Sequence, residues 1–291
     1  MKNIKFLKRT SLFIISALAA AFSCTDEERI TASDTQAITE ESISDAYFED
    51  ADDMASIVVF VEDNPSGGRQ ATSGRISHDE RIHCATISFS EASNSSSGQI
   101  TIDFSANQLG YCIVRGNKRQ GKIILNYSNG PRGNIGFTVQ MTFENYKINE
   151  VELKGTRTVT RVAASTDINI KHEIILENGL AIWPDNGGEV TRSSEFTREW
   201  VRDPNDERVI LNGSANGTNR RGKDYTMEIT QELVFRRACI LSEEIYMAVK
   251  GEKVFNVDGK TIKVNYGDGT CDRSITLTVK DVTRDITVGG K

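Results

Sequence analysis

The sequence predicts an all-β protein: a large antiparallel meander, folded as a sandwich or a strongly curved sheet and preceded by one amphipathic N-terminal helix. Three observations carry that prediction. From His83 onward apolar residues recur at every second position, whereas just upstream of Asp63 they recur at helical spacing. The chain holds only 4 prolines, so little interrupts long strands. Turn pairs such as Asn129-Gly130 and Asp258-Gly259 separate the alternating runs, and these residues accept the positive φ that tight hairpins need.

Taken in order, residues 24–38 are polar, lack aromatic side chains and read as an acidic flexible tether. Residues 39–63 contain TEESISDAYFEDADDMASIVVF, in which Ile43, Ala46, Tyr47, Ala51, Met54, Ile57 and Val58 fall at helical spacing. The reading is one amphipathic helix, N-capped by Thr39 or Ser42, with its apolar stripe on the body and its acids on the opposite side.

In GFTVQMTFENYKINEVELKG, Phe137, Val139, Met141 and Phe143 point one way while Thr138, Gln140, Thr142 and Glu144 point the other. After a turn near Asn149, Val151 and Leu153 begin the return strand. The same alternation recurs at Tyr225, Met227, Ile229, Leu233 and Phe235, and at Ile275, Leu277 and Val279, for a dozen or more strands in all. GQITIDFSANQLGYC and GKTIKVNYGDGTC echo each other, each an alternating strand followed by a small-residue turn and a cysteine. That echo divides the body into β halves at 64–165 and 166–291, within one continuous domain or two.

Formal charge is −6 but uneven. Cys24 to Asp63 carries 13 acids and a single base, Arg29, whereas Asn64 to the end carries 28 acids against 30 bases. A nucleic-acid partner is excluded, because its binding needs a concentrated cationic face.

The sequence carries no catalytic signature. His78, His83 and Cys84 fall short of a zinc set, and no metal or cofactor is expected. Turn acids in DPNDE (203–207) and NYGDGTCD (265–272) lack the alternation of a calcium loop. Glu195 and Glu199 form the carboxylate pair that a hydrolase of envelope or extracellular polysaccharide would need. Trp183 and Trp200 lie beside turns, where an indole stacks on a sugar ring or anchors a protein interface.

The address lies at the start of the chain. MKNIKFLKR is basic, and Thr10 to Phe22 is apolar but shorter than the roughly 20 residues that span a bilayer. Residues 1–23 therefore read as a cleaved signal peptide. Ala21, Phe22, Ser23 and Cys24 resemble the lipobox of a bacterial lipoprotein, with Ala21 where leucine is usual; the resemblance implies acylation of Cys24. Asp26, Glu27 and Glu28 resemble the short acidic signal by which Bacteroidota lipoproteins reach the cell surface. DFSANQLGYC, GKIILNYSNG, FENYKINEVELKGTRTVT and NYGDGTCD resemble a family of uncharacterised Bacteroidota β-rich lipoproteins, which implies an outer-membrane location and a β fold. The expected function is a non-catalytic binding or structural envelope module, held by lipid and facing a glycan or protein. In an oxidising compartment Cys84, Cys112, Cys239 and Cys271 are expected in disulfides, and of three connectivities the spacing favours sequence neighbours.

Overall fold

The structure, a computed structural model, describes residues 31–61, 82–90, 96–114, 116–131, 133–243, 245 and 247–287. The expected signal peptide, Cys24 and His78 lie outside the described residues.

A helix, α1 (Ala32–Val61), precedes a run of strands: β1 (Thr86–Phe89), β2 (Gly98–Asp103), β3 (Cys112–Val114), β4 (Asn117–Ser128), β5 (Thr138–Ile148), β6 (Val151–Val162), β7 (Ile170–Ile182), β8 (Glu189–Val201), β9 (Arg208–Thr218) and β10 (Asp224–Arg236). A short helix, α2 (Arg237–Glu243), leads into β11 (Lys250–Val257), β12 (Lys260–Asp268), β13 (Ser274–Val279) and β14 (Val282–Thr287). All 14 strands join one antiparallel sheet in sequence order, with β2 and β3 lying end to end along β4. Of the two architectures left open by the sequence, the curved sheet is the one formed, and a single sheet runs through the junction between the proposed halves.

Two distances show why the sheet curls. Asp50 of α1 meets β4 and Ile38 packs with residues of β11, a helical separation of about 18 Å at 1.5 Å per residue. In a flat sheet the seven steps from β4 to β11 would cover about 33 Å. The sheet therefore wraps the helix as a trough. Bulges supply the bend: register slips between Gln120 and Lys122, between Thr142 and Lys147, and between Leu176 and Gly179. Gly121 (φ +79°) sits against Asn145 (φ 49°), so closely that a Cβ there would lie 2.1 Å from the Asn145 carbonyl oxygen.

Two apolar clusters fill the trough. One joins Phe48, Ala51, Met54, Val58 and Val59 of α1 to residues of β2, β4, β5 and β6. The other gathers Ile174, Phe196, Met227, Phe255, Val264 and Leu277 from β7 to β13, with Ile38 of α1 at its margin. The Cα atoms of Cys84 and Cys112 stand 5.9 Å apart and those of Cys239 and Cys271 5.2 Å apart, each pair at disulfide distance and each joining sequence neighbours. The first ties the approach to β1 onto β3, and the second ties α2 to the β12–β13 connection.

The helix departs from its sequence reading in three ways. It begins at Ala32, so residues 32–38 of the expected tether are helical; no Gly or Pro interrupts 32–61. Thr39 and Ser42 are thus interior, and the Thr39 hydroxyl donates to the Thr35 carbonyl at 2.8 Å instead of capping. Ile43 and Ala46 face solvent, while Glu40, Glu41 and Asp52 are buried.

Candidate functional site

Strand alternation aims a row of cations into the trough. In β8, Val190, Arg192, Ser194, Phe196, Arg198 and Trp200 share the inward face, and inward positions of β4 and β6 carry Arg119 and Arg157. Arg119, Arg157 and Arg192 are among the largest fully buried side chains of the molecule. Arginine holds its charge at any physiological pH, so burial on this scale demands partners.

Helix α1 brings them turn by turn. Arg119 grips Asp50 through two hydrogen bonds of 2.9 and 2.6 Å. Arg157 grips Asp52 through two bonds of 2.7 Å and donates a third to Glu49 at 2.5 Å. Arg192 binds Glu41 and, at 2.9 Å, Asp45. Arg198 donates to the second oxygen of Glu49 at 2.5 Å. Beyond the strands, Arg220 approaches Glu40 at 3.5 Å and Arg221 donates to Gln36 at 2.6 Å. Paired forks of this kind are the stronger class of charge-assisted bond.

The electrostatics follow from this crowding. Burial opposes ionisation of Asp45, but Arg192, Lys253, Arg157 and Arg198 outweigh it and hold the carboxyl below its usual range. Burial likewise works against charge on Lys253, yet Tyr266, Glu41 and Asp45 leave its ammonium pushed up to about 12. The match is nonetheless incomplete. Glu41 Oε2, Arg119 Nη1, Arg157 Nη1, Arg192 Nε and Arg198 Nε are buried without a hydrogen-bond partner.

Beside the C-terminal half of α1 a small cleft of about 60 Å³ opens among Val59, Met141, Val159, His172, Arg198 and Trp200. Burial, together with Arg198 and Arg161, pushes the His172 imidazole down to about 4, so it is neutral, and it meets Trp200 edge-on at 5.5 Å between ring centroids.

The residues singled out from the sequence separate in space. Trp200 lines this cleft with the Arg198 guanidinium 4.8 Å from its ring centre. Trp183 packs against the first apolar cluster under Arg220, also at 4.8 Å. Because Ile170 pairs with Trp200 and Ile182 with Glu189, the two indoles stand at opposite ends of the β7–β8 hairpin and form no common platform. Glu195 projects from the outer face of β8. Glu199 shares that face but is enclosed by the β6–β7 connection, accepting from the Ser165 amide at 2.9 Å, the Ser165 hydroxyl and Asn169 Nδ2 at 3.0 Å. Burial raises its affinity for a proton, and these hydrogen bonds more than reverse that, so it stays ionised as a structural acceptor. The turn acids are engaged too: Asp206 binds Arg208 and Arg236, and Asp268 accepts from Thr270. Cys84 is committed to Cys112, and among the described residues no group of three or more His, Cys, Asp or Glu side chains is gathered to hold a metal.

The sequence reading missed the arginine row. Its signal was present: Arg192 and Arg198 occupy positions where the β8 alternation calls for apolar residues, and Glu41, Asp45, Phe48, Asp52, Ala55 and Val59 follow one another at intervals of three and four. No family model matches the chain, and neither does any curated protein or solved structure.

Proposed function

We propose that this chain is an exported lipoprotein of the bacterial outer membrane, surface-exposed and held by acyl chains on Cys24, whose β body binds a protein or glycan partner instead of catalysing a reaction. The observation that carries the reading is the filled trough. The concavity of the sheet, where a hydrolase would place opposed free carboxylates, holds α1, and the carboxylates of Glu41, Asp45, Glu49, Asp50 and Asp52 are all bound by arginine. The Glu195 and Glu199 pair suits hydrolysis poorly, since it lies on the outer face with Glu199 enclosed. Cysteine pairs at disulfide distance suit an oxidising compartment, and each closed loop would contribute about 3–4 kcal/mol by chain entropy. Among the described residues no helix is long and apolar enough to cross a membrane, and attachment through more than one acyl chain would be effectively permanent.

Cell fractionation tests the reading. Wild-type protein is expected in the outer-membrane pellet, cleavable by protease on intact cells, and Cys24→Ala is expected in the soluble fraction. A Cys24→Ala variant that still pellets, or a mature N-terminus that mass spectrometry finds unacylated, overturns it.

A further inference from the structure

Resting on the binding reading above, we infer that the arginine trough is a receptor for an acidic amphipathic helix presented by another protein, and that α1 is the resident occupant that such a helix displaces. The site belongs to the body. Arg119, Arg157, Arg192 and Arg198 come from β4, β6 and β8, and they meet carboxylates 69 to 151 residues away in the chain. The strands that carry them pair with one another in a register in which α1 takes no part.

The shape and chemistry of the ligand can be read from what α1 uses. Its carboxylates at 41, 45, 49 and 52 succeed one another at intervals of four, four and three, the rise of one helical face. Phe48, Ala51, Met54 and Val58 continue that contact onto the apolar strands. A partner must therefore be helical, with about three anionic turns whose C-terminal end overlaps about three apolar turns.

One observation indicates that α1 is not the optimal occupant. Each of the four arginines keeps one nitrogen buried without a hydrogen-bond partner, and Glu41 keeps an oxygen in the same state, so the resident helix leaves donors in the trough that a better-matched helix can use.

The test uses the full chain. A fluorescein-labelled peptide with the sequence of residues 32–61 stands for the partner helix and is titrated by anisotropy into wild type and into Glu41→Gln/Asp45→Asn, which keeps side-chain size while loosening α1. The peptide is expected to bind the loosened variant about tenfold or more tighter than wild type, since the competitor occupies the site less. Binding is expected to fall as salt rises from ~50 to ~300 mM, and a peptide with amides in place of the carboxylates at 41, 45, 49 and 52 is expected not to bind. Absence of binding to a loosened variant that keeps its near-UV circular dichroism overturns the inference. So does binding that ignores the carboxylates, displacement of the peptide by phosphatidylglycerol vesicles, or a concentration-dependent dimer that excludes it.

Should the variant fail to fold, hydrogen exchange on wild type decides: α1 amides must open locally while β4 to β8 stay protected, and exchange of α1 only with the whole sheet overturns the inference. The titration is independent of Cys24, and the fractionation is independent of the trough, so failure of one is distinguishable from failure of the other.

Discussion

Between Phe48 and Val59, α1 lies against the first half of the sheet through side chains that are almost wholly buried, with Phe48 edge-on to Phe143 at 5.8 Å between ring centroids. Between Gln36 and Asp45 the same helix crosses the later strands on arginines, with Ile38 as its apolar contact there. The two ends are stabilised differently. Apolar burial contributes about 1.5–3 kcal/mol for each large side chain and has no preferred direction. A buried ion pair recovers little more than the cost of desolvating both charges, but it fixes register, because each arginine fork accepts only the carboxylate in front of it. The apolar end thus supplies adhesion and the ionic end supplies alignment. Arg157 with Asp52 is the place where the two regimes overlap, a bidentate pair inside the apolar stretch of the helix.

That contrast can be broken most severely at the overlap. Arg157→Ala leaves Asp52 buried and without its bidentate partner and is expected to cost about 3–5 kcal/mol, read as a fall in the urea midpoint. The double variant Arg157→Met/Asp52→Leu is expected to lose far less than either single change. Equal losses would mean that the pair is adhesive after all. Phe48→Ala should cost about 3–4 kcal/mol by cavity formation, and its loss should not vary with salt.

A smaller effect sharpens the comparison through pH. His172 is depressed to about 4 in the folded state against about 6.5 unfolded, so between these values the unfolded chain binds the extra proton. Its contribution is full above 6.5 and is lost as pH falls toward 4, a decline of about 1–3 kcal/mol. Replacing His172 by Phe is expected to flatten that part of the profile, measured by urea unfolding at several pH values. The smallest effect is expected from Lys118→Ala: the Lys118–Glu150 pair at 2.7 Å is solvent-exposed, and the urea midpoint should stay where it is.

How far the fold was legible depended on whether a residue's neighbours lie nearby in the chain. The Phe137 to Phe143 alternation predicted half of β5, and the pattern then slips at Glu144 and Asn145, where the bulge opposite Gly121 resets which face is inward. A bulge is a property of two strands together, so the sequence of either one does not announce it. The acids of α1 were misread for a similar reason. Glu41, Asp45 and Asp52 fall at helical spacing with Phe48 and Ala55, but the sequence reading sets the stripe on Ile43, Ala46 and Tyr47 because charge alone assigns the acids to solvent, and only cations 105 to 151 residues away reverse that assignment.

By itself, the sequence determined the strand period and the presence of one helix before the sheet, and it favoured cysteine pairs between chain neighbours among three connectivities, since each of these rests on local spacing or short loops. The tertiary structure decided that 14 strands make one trough instead of two layers, and that the acidic helix belongs inside it. Both outcomes depend on long-range geometry: curvature accumulates across many bulged pairs, and a carboxylate is buried only when a fixed guanidinium is already waiting for it.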